Sequence, residues 1–155
     1  MDHRRIGWAF VAVQAALLVA LFLTPSTDHW GARDLSRTLG AMLFWAGAAL
    51  AVTAALGLGR SLTATPVPRA TAELQTSGLY RWVRHPIYTA VLTMCVGMTL
   101  SRRSWLAVVL TVALVAFFVA KSTWEERRLS ERFAGYRDYA ARTGRFLPRL
   151  RRRTV

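Results

Sequence analysis

Apolar residues along the chain gather into four uncharged stretches, separated by short polar segments. Residues 6–24 and 39–59 are 19 and 21 residues long and contain no charged side chain. A helix needs about 20 mainly apolar residues to cross the roughly 30 Å of hydrocarbon in a bilayer. Both stretches are therefore predicted to be transmembrane helices.

The other two uncharged stretches, 87–100 and 104–120, are shorter, and only three residues separate them. As a helix, residues 87–100 would rise only about 21 Å, less than the thickness of the hydrocarbon core. We predict that the pair forms a helical hairpin packed against the first two helices. Pro86 suits the first position of its first helix, where a missing N–H breaks no hydrogen bond.

Beyond residue 120 the helical spacing of apolar positions continues, now interleaved with charges. Trp124, Leu129, Phe133 and Tyr136 recur at this spacing, and Gly144 follows them. The pattern predicts an amphipathic interfacial helix that extends or bends away from the fourth helix. The expected fold is an all-α integral membrane protein: a single domain over residues 1–155 with about four transmembrane helices and this C-terminal amphipathic helix.

The charge distribution predicts an orientation in the membrane. The net charge is +13, from 21 Lys and Arg against 8 Asp and Glu. With the N-terminus inside and four crossings, 17 of the 21 basic residues lie on the inner side. The positive-inside rule then predicts cytoplasmic termini. An excess of Ala and Arg over Lys suggests a GC-rich bacterial genome, and hence the bacterial inner membrane.

Several functional classes find no support in the sequence. No helix-turn-helix, RNP or zinc-finger pattern accompanies the basic charge, so no nucleic-acid partner is expected. The basic residues 149–153 are interpreted as a contact with anionic lipid, or as a topology signal alone. The three histidines are scattered, so no metal site is expected. Cys95, the one cysteine, is interpreted as a small buried hydrophobe.

Polar clusters flank the predicted hairpin at residues 77–90 and 121–148, and they carry recognisable motifs. The first contains R-H-P-x-Y, which is Arg84, His85, Pro86 and Tyr88. The second contains E-E-x-x-L-x-x-x-F, two tyrosines and R-F-x-P, that is Glu125, Glu126, Leu129, Phe133, Tyr136, Tyr139, Arg145, Phe146 and Pro148. This ordered set resembles the isoprenylcysteine carboxyl methyltransferase family and the related membrane phospholipid N-methyltransferases.

The resemblance implies a methyltransferase that uses S-adenosylmethionine, bound in a cavity facing the cytoplasm. The methyl acceptor would be a lipophilic small molecule or lipid that enters from the bilayer. The expected catalytic residues are Arg84, Glu125 and Glu126. The expected cofactor-binding residues are Tyr80, His85, Pro86, Tyr88, Glu126, Tyr136, Tyr139 and Arg145.

These residue types suit the chemistry of methyl transfer. A carboxylate such as Glu125 or Glu126 can accept hydrogen bonds from a ribose diol or an amino group, and an aromatic ring can face a sulfonium. Arg84 and Arg145 can hold a carboxylate bidentately. A carboxylate acceptor needs no general base, whereas for a protonated amine or thiol a glutamate is the natural base. An isoprenoid or prenylcysteine-type carboxylate is the favoured acceptor, and a phospholipid amine or small thiol is possible.

Two other functions remain open at this point. Membrane sterol-type reductases share a comparable helical layout and would bind NADPH in place of S-adenosylmethionine. A non-enzymatic scaffold or lipid-binding protein would use its basic rim to hold anionic headgroups.

Overall fold

The protein is all-helical in the part that its structure, a computed structural model, describes, which is residues 3–58 and 74–149. Its five α-helices are α1 (His3–Leu23), α2 (Arg33–Leu58), α3 (Pro86–Arg102), α4 (Trp105–Arg132) and α5 (Tyr136–Arg142). A short 3-10 helix, Gly78–Arg81, precedes α3. Residue 59 and most of the basic segment 149–153 lie outside the described residues.

Three helices are long and apolar enough to cross a membrane, over Arg5–Leu23, Arg33–Leu58 and Trp105–Arg132. They confirm the predicted first, second and fourth spans. With 17 residues, α3 rises only about 26 Å and falls short of a full crossing. A count of four spans therefore stays a prediction.

Helix α2 starts six residues before the predicted apolar stretch, at Arg33, with Asp34 in its first turn. A hydropathy pattern identifies only the apolar part of a helix, which lies in the hydrocarbon core. The helical hydrogen bonding continues beyond that part into the polar headgroup region, so the helix is longer than the apolar stretch. An acidic side chain in the first turn also interacts favourably with the helix dipole. Helix α4 likewise extends past the predicted residue 120 to Arg132. At 28 residues it is about 42 Å long, longer than the hydrocarbon core is thick.

The predicted amphipathic helix beyond residue 120 is not one continuous element. Helix α4 ends where Phe133 adopts an extended backbone, φ −114° and ψ 111°, and α5 begins at Tyr136. No proline marks this break in the sequence. The turn points α5 back toward the bundle, so that Tyr136 and Tyr139 become buried, with 3% and 8% of their surfaces exposed.

The helices pack as a hairpin with one further helix on each side. Helix α3 packs against both α2 and α4, and α1 packs against α4. The core between them contains Leu21, Cys95, Ala107, Leu114 and Phe118. The predicted hairpin of α3 and α4 is thus present, and Pro86 occupies the first turn of α3 as expected.

Antiparallel helices α2 and α3 approach each other closely through glycines. A Cβ atom placed on Gly97 would lie 2.5 Å from the carbonyl oxygen of Gly40. One placed on Gly47 would lie 2.8 Å from the carbonyl oxygen of Ala90. Small residues at such positions let helix backbones approach in a membrane. The close packing fixes the start of α3 beside the last turns of α2.

Candidate active site

A backbone pairing joins the segment before α3 to the segment after α5. Val83 and Gly144 form an isolated parallel β-bridge. The N–H of Arg84 donates to the carbonyl of Gly144 at 2.8 Å, and the N–H of His85 donates to that of Arg145 at 3.1 Å. The two motifs, far apart in sequence, are therefore held side by side at one end of the bundle, here called the site end.

Glu126 is the centre of the charged cluster at the site end. Its Oε1 accepts a hydrogen bond from Arg84 Nε at 2.9 Å and lies 3.1 Å from His85 Nε2. Arg145 approaches both carboxylate oxygens, with Nε 3.2 Å from Oε1 and Nη2 2.8 Å from Oε2. Only 13% of the Glu126 side chain is exposed. A carboxylate this buried needs such partners, and Arg84, His85 and Arg145 together occupy the acceptor positions of both its oxygens.

Arg84 also donates hydrogen bonds to the C-terminal end of α5. Its Nη1 donates to the carbonyl oxygen of Ala140 at 2.9 Å and to that of Thr143. Arg145 Nη1 donates to Thr123 Oγ1 on α4 at 2.9 Å. The two arginines thus connect α4, α5 and the segment before α3.

Glu125 makes a separate and smaller set of contacts. Tyr88 donates its hydroxyl to Glu125 Oε1 at 2.6 Å, and His85 Nδ1 lies 3.6 Å from Glu125 Oε2. The His85 ring stacks on that of Tyr88, with centroids 5.3 Å apart and planes 3° apart. His85 therefore lies between the two carboxylates, with one ring nitrogen toward each. A neutral ring can donate to one carboxylate, and a doubly protonated ring places a positive charge between the two.

Two polar residues that the sequence analysis did not select extend this set toward α1. Lys121 Nζ donates to Gln14 Oε1 at 2.7 Å and lies 5.0 Å from the centre of the Tyr88 ring. Only 3% of Lys121 is exposed. The signal was present, since Gln14 interrupts an apolar run and Lys121 is the single lysine of the chain. Polar residues at such positions in membrane helices commonly serve function.

Tyr80 and Tyr139 connect the 3-10 helix to its neighbours. Tyr139 donates its hydroxyl to the carbonyl oxygen of Tyr80 at 2.5 Å, and Tyr80 donates to that of Ala54 on α2 at 3.4 Å. Burial raises the pKa of each phenol to about 12. Both therefore remain neutral donors at physiological pH, and they fix the position of the segment that carries Arg84.

Tyr136 has an unpaired hydroxyl beside the charged cluster. Only 3% of the residue is exposed, and its ring packs edge-on against that of Tyr139 at 5.9 Å. Its hydroxyl has no hydrogen-bond partner among the described residues. Burial raises the pKa of Tyr136 well above its ordinary value. An unsatisfied buried hydroxyl costs about 1–3 kcal/mol, which a bound ligand with a suitable acceptor would recover.

The structure brings most of the sequence-predicted residues together. Arg84, His85, Tyr88, Glu125, Glu126 and Arg145 form one connected cluster, and Tyr80, Tyr136 and Tyr139 surround it. Pro86 is buried at the first turn of α3, where its evident contribution is to start the helix. The catalytic and cofactor-binding roles of these residues stay predictions. Among the described residues no group of three or more His, Cys, Asp or Glu could hold a metal ion.

Curated proteins similar to this chain are named for metal resistance. The nickel-cobalt-cadmium resistance protein NccN of Alcaligenes xylosoxydans xylosoxydans is 34% identical over 113 residues, covering 68% of this chain and 53% of that protein. The cobalt-zinc-cadmium resistance protein CzcN of Cupriavidus metallidurans is 32% identical over 152 residues, covering 97% of this chain and 66% of that protein. The chain thus spans between about half and two thirds of these relatives.

A family model confirms the resemblance that the motifs indicated. The model for phospholipid methyltransferase matches residues 35–135, which include nearly all of α2, the whole of α3 and α4, and both glutamates. Together with the three apolar helices, the match identifies an integral membrane protein. The chain therefore belongs to the phospholipid methyltransferase family, within the group of membrane methyltransferases that resemble isoprenylcysteine carboxyl methyltransferase.

Proposed function

We propose that this protein is a single-domain methyltransferase that uses S-adenosylmethionine and methylates a lipophilic acceptor at the cytoplasmic face of the bacterial inner membrane. One observation carries the proposal. Arg84, His85 and Arg145 converge on Glu126 at the end of an apolar hairpin, where buried charge is costly unless it serves a ligand or a reaction.

The residues present fit the cofactor. Its amino-acid head has a carboxylate and an ammonium, which suit an arginine and a glutamate respectively. Arg145 is the most accessible of the cations around Glu126, with 32% of its side chain exposed, and the unpaired hydroxyl of Tyr136 offers a further polar contact. When bound, S-adenosylmethionine supplies an electrophilic methyl group on a sulfonium. Holding the two reactants in line then provides much of the rate.

Glu125 is better suited than Glu126 to act on the acceptor. Both carboxylate oxygens of Glu126 accept short contacts from cations, whereas Oε2 of Glu125 has a longer contact, 3.6 Å from His85 Nδ1. This carboxylate can take a proton from a thiol or an amine. With the cofactor bound, its sulfonium together with Arg84 and Arg145 outnumbers the two glutamates by one positive charge, since the amino-acid head of the cofactor is neutral overall. That excess supports an anionic acceptor, and we favour an isoprenoid or prenylcysteine-type carboxylate over a phospholipid amine or small thiol.

Calorimetry with S-adenosylhomocysteine on the detergent-purified protein tests the cofactor. We expect saturable binding by the wild type and binding about tenfold weaker or more in His85→Ala, since one charge-assisted hydrogen bond is worth about 1.5–3 kcal/mol. The matched control is His29→Ala, because His29 is exposed at the opposite end of the bundle. The cofactor assignment is wrong if folded wild-type protein binds NADPH and not S-adenosylhomocysteine.

Transfer of a radiolabelled methyl group to defined acceptors tests the acceptor class. A farnesylated cysteine derivative, a phosphatidylethanolamine and a long-chain thiol represent the three candidates. If the acceptor is a carboxylate, Glu125→Gln should retain substantial activity, because no proton has to be removed. If the thiol or amine is methylated, and Glu125→Gln abolishes that activity, the favoured acceptor is wrong and Glu125 acts as the base.

The curated relatives indicate a physiological setting. Both are named for resistance to divalent metals, and we propose that methylation by this protein contributes to metal tolerance. Growth of a gene-deleted strain on graded cobalt and cadmium tests this idea. Wild-type protein should restore growth and His85→Ala should not. Equal growth of the deleted and parental strains would show that the protein does not contribute to resistance.

A further inference from the structure

A groove lies at the end of the bundle opposite the site, here called the far end. It has a volume of about 320 Å³ and lies between the first half of α2, the last turns of α3 and the loop after α1. Along α3 it is about 21 Å from Tyr88, since 14 residues separate Tyr88 from Arg102. It is lined by Ala41, Phe44, Trp45, Met98, Ser101 and Arg102, with Ser26 at the loop. The groove is therefore separate from the proposed active site.

The groove is amphipathic along its length. Phe44 and Met98 give it an apolar wall, and Trp45, which is 70% exposed, continues that wall onto the lipid-facing surface of α2. Ser101 and Arg102 give it a polar rim at the end of α3. A molecule that matches both parts needs an apolar chain directed along the helices and a polar group at their end.

Arg102 gives the polar rim an uncompensated positive charge. Its guanidinium donates to the carbonyl oxygen of Phe22 at 2.5 Å and to that of Thr24. No carboxylate lies within ion-pair distance of it in residues 3–58 and 74–149. Asp28, the acid of the preceding loop, is already shared by Arg103 at 2.5 Å and Arg33 at 3.0 Å. The backbone carbonyls orient the guanidinium of Arg102 without neutralising it.

From this arrangement we infer that the groove binds an anionic phospholipid of the far-end leaflet, with the lipid phosphate on Arg102 and an acyl chain along Phe44, Met98 and Trp45. A guanidinium pairs with phosphate through two parallel hydrogen bonds, and the hydroxyl of Ser101 can donate a further one. A net negative headgroup also supplies the counter-charge that Arg102 does not find among the described residues. A free phosphate would leave the apolar wall unfilled. This site is independent of the proposed methyltransferase activity.

Native mass spectrometry of the full chain in detergent tests the inference. The probes are phosphatidylglycerol, phosphatidylcholine with the same acyl chains, and inorganic phosphate. We expect phosphatidylglycerol to bind at about unit stoichiometry and more tightly than the other two probes. Arg102→Gln should weaken this binding about tenfold or more, since it removes a charge-assisted contact.

Two further variants separate a specific groove from a general effect of charge. Ala41→Phe fills the groove and keeps Arg102, so it should also weaken phosphatidylglycerol binding. Arg33→Gln removes a positive charge from the same end outside the groove lining, and it should leave binding unchanged. Helical circular dichroism confirms that each variant is folded. The inference is overturned if phosphatidylcholine binds as tightly, if Ala41→Phe binds normally, or if Arg33→Gln loses as much affinity as Arg102→Gln.

Discussion

Replacing Glu126 by alanine should destabilise the whole site end of the bundle. The substitution removes the only carboxylate that Arg84 and Arg145 contact within ion-pair distance in the described residues. It leaves the Arg84 side chain 11% exposed and still charged. Removing one partner of a buried ion pair costs about 3–5 kcal/mol, because the remaining charge is buried without compensation. Arg145, at 32% exposure, is partly screened by solvent, which favours the lower part of this range.

For a chain of this length, 1 kcal/mol corresponds to about 2–4 °C in Tm, so the expected drop is about 6–20 °C. Thermal unfolding in detergent, followed by circular dichroism, measures it. Glu131→Ala is the matched control, because Glu131 lies on the same helix and is exposed. Glu126→Gln, which keeps hydrogen-bond acceptance, should fall between the two. If Glu126→Ala melts within about 2 °C of Glu131→Ala, Glu126 does not hold the cluster together.

Three further predictions address packing, the α1 contact and pH. Gly97→Leu should lower Tm, because even the Cβ atom of the new side chain would lie 2.5 Å from the carbonyl oxygen of Gly40. Gly57→Ala should not lower Tm, because the nearest atom to its Cβ would be 3.8 Å away. Equal melting of the two variants would contradict the close packing of α2 and α3. Lys121→Met should lower the free energy of unfolding by about 1–3 kcal/mol, because it leaves the amide oxygen of Gln14 unpaired. The double variant with Gln14→Leu should recover part of that loss. A strictly additive double-mutant cycle would show that the two residues do not interact. Burial raises the pKa of Tyr139 to about 12 from its ordinary 10.0, so its contribution to stability is complete below pH 10 and is lost as pH rises toward 12. The difference between the ultraviolet titrations of folded wild type and Tyr139→Phe isolates this residue, and a difference centred near pH 10 would disprove its burial.

The sequence predicts those parts of the molecule that depend on local composition. Uncharged runs located the helices, Pro86 marked the start of α3, and the spacing of R-H-P-x-Y and E-E around one hairpin indicated a shared site. An antiparallel hairpin returns the chain to the side where it began. The motifs just before α3 and at the end of α4 therefore lie on the same side of the bundle, close to each other.

Features that depend on distant contacts were missed or misplaced. The pairing of Lys121 with Gln14 requires α1 to lie against α4 in one rotation, and neither helix specifies that alone. The break at Phe133 has no proline before it, and Gly135 at the N-cap of α5 is a weak signal alone. Turning the chain there buries Tyr136 and Tyr139. The different contacts of the two glutamates were also hidden. Adjacent residues point about 100° apart on a helix, and only the fold shows that Arg84 and Arg145 both contact Glu126.

The β-bridge between Val83 and Gly144 makes the site a non-local structure. The acceptors for the N–H groups of Arg84 and His85, and the bidentate partner of Glu126, all lie in the segment after α5. Contacts between segments far apart in the chain form slowly, because the entropy of closing the intervening loop is lost before the contacts stabilise anything. Packing of α3 against α4 brings the two segments together and reduces that cost. We therefore expect the site to form late in folding, after the helical hairpin.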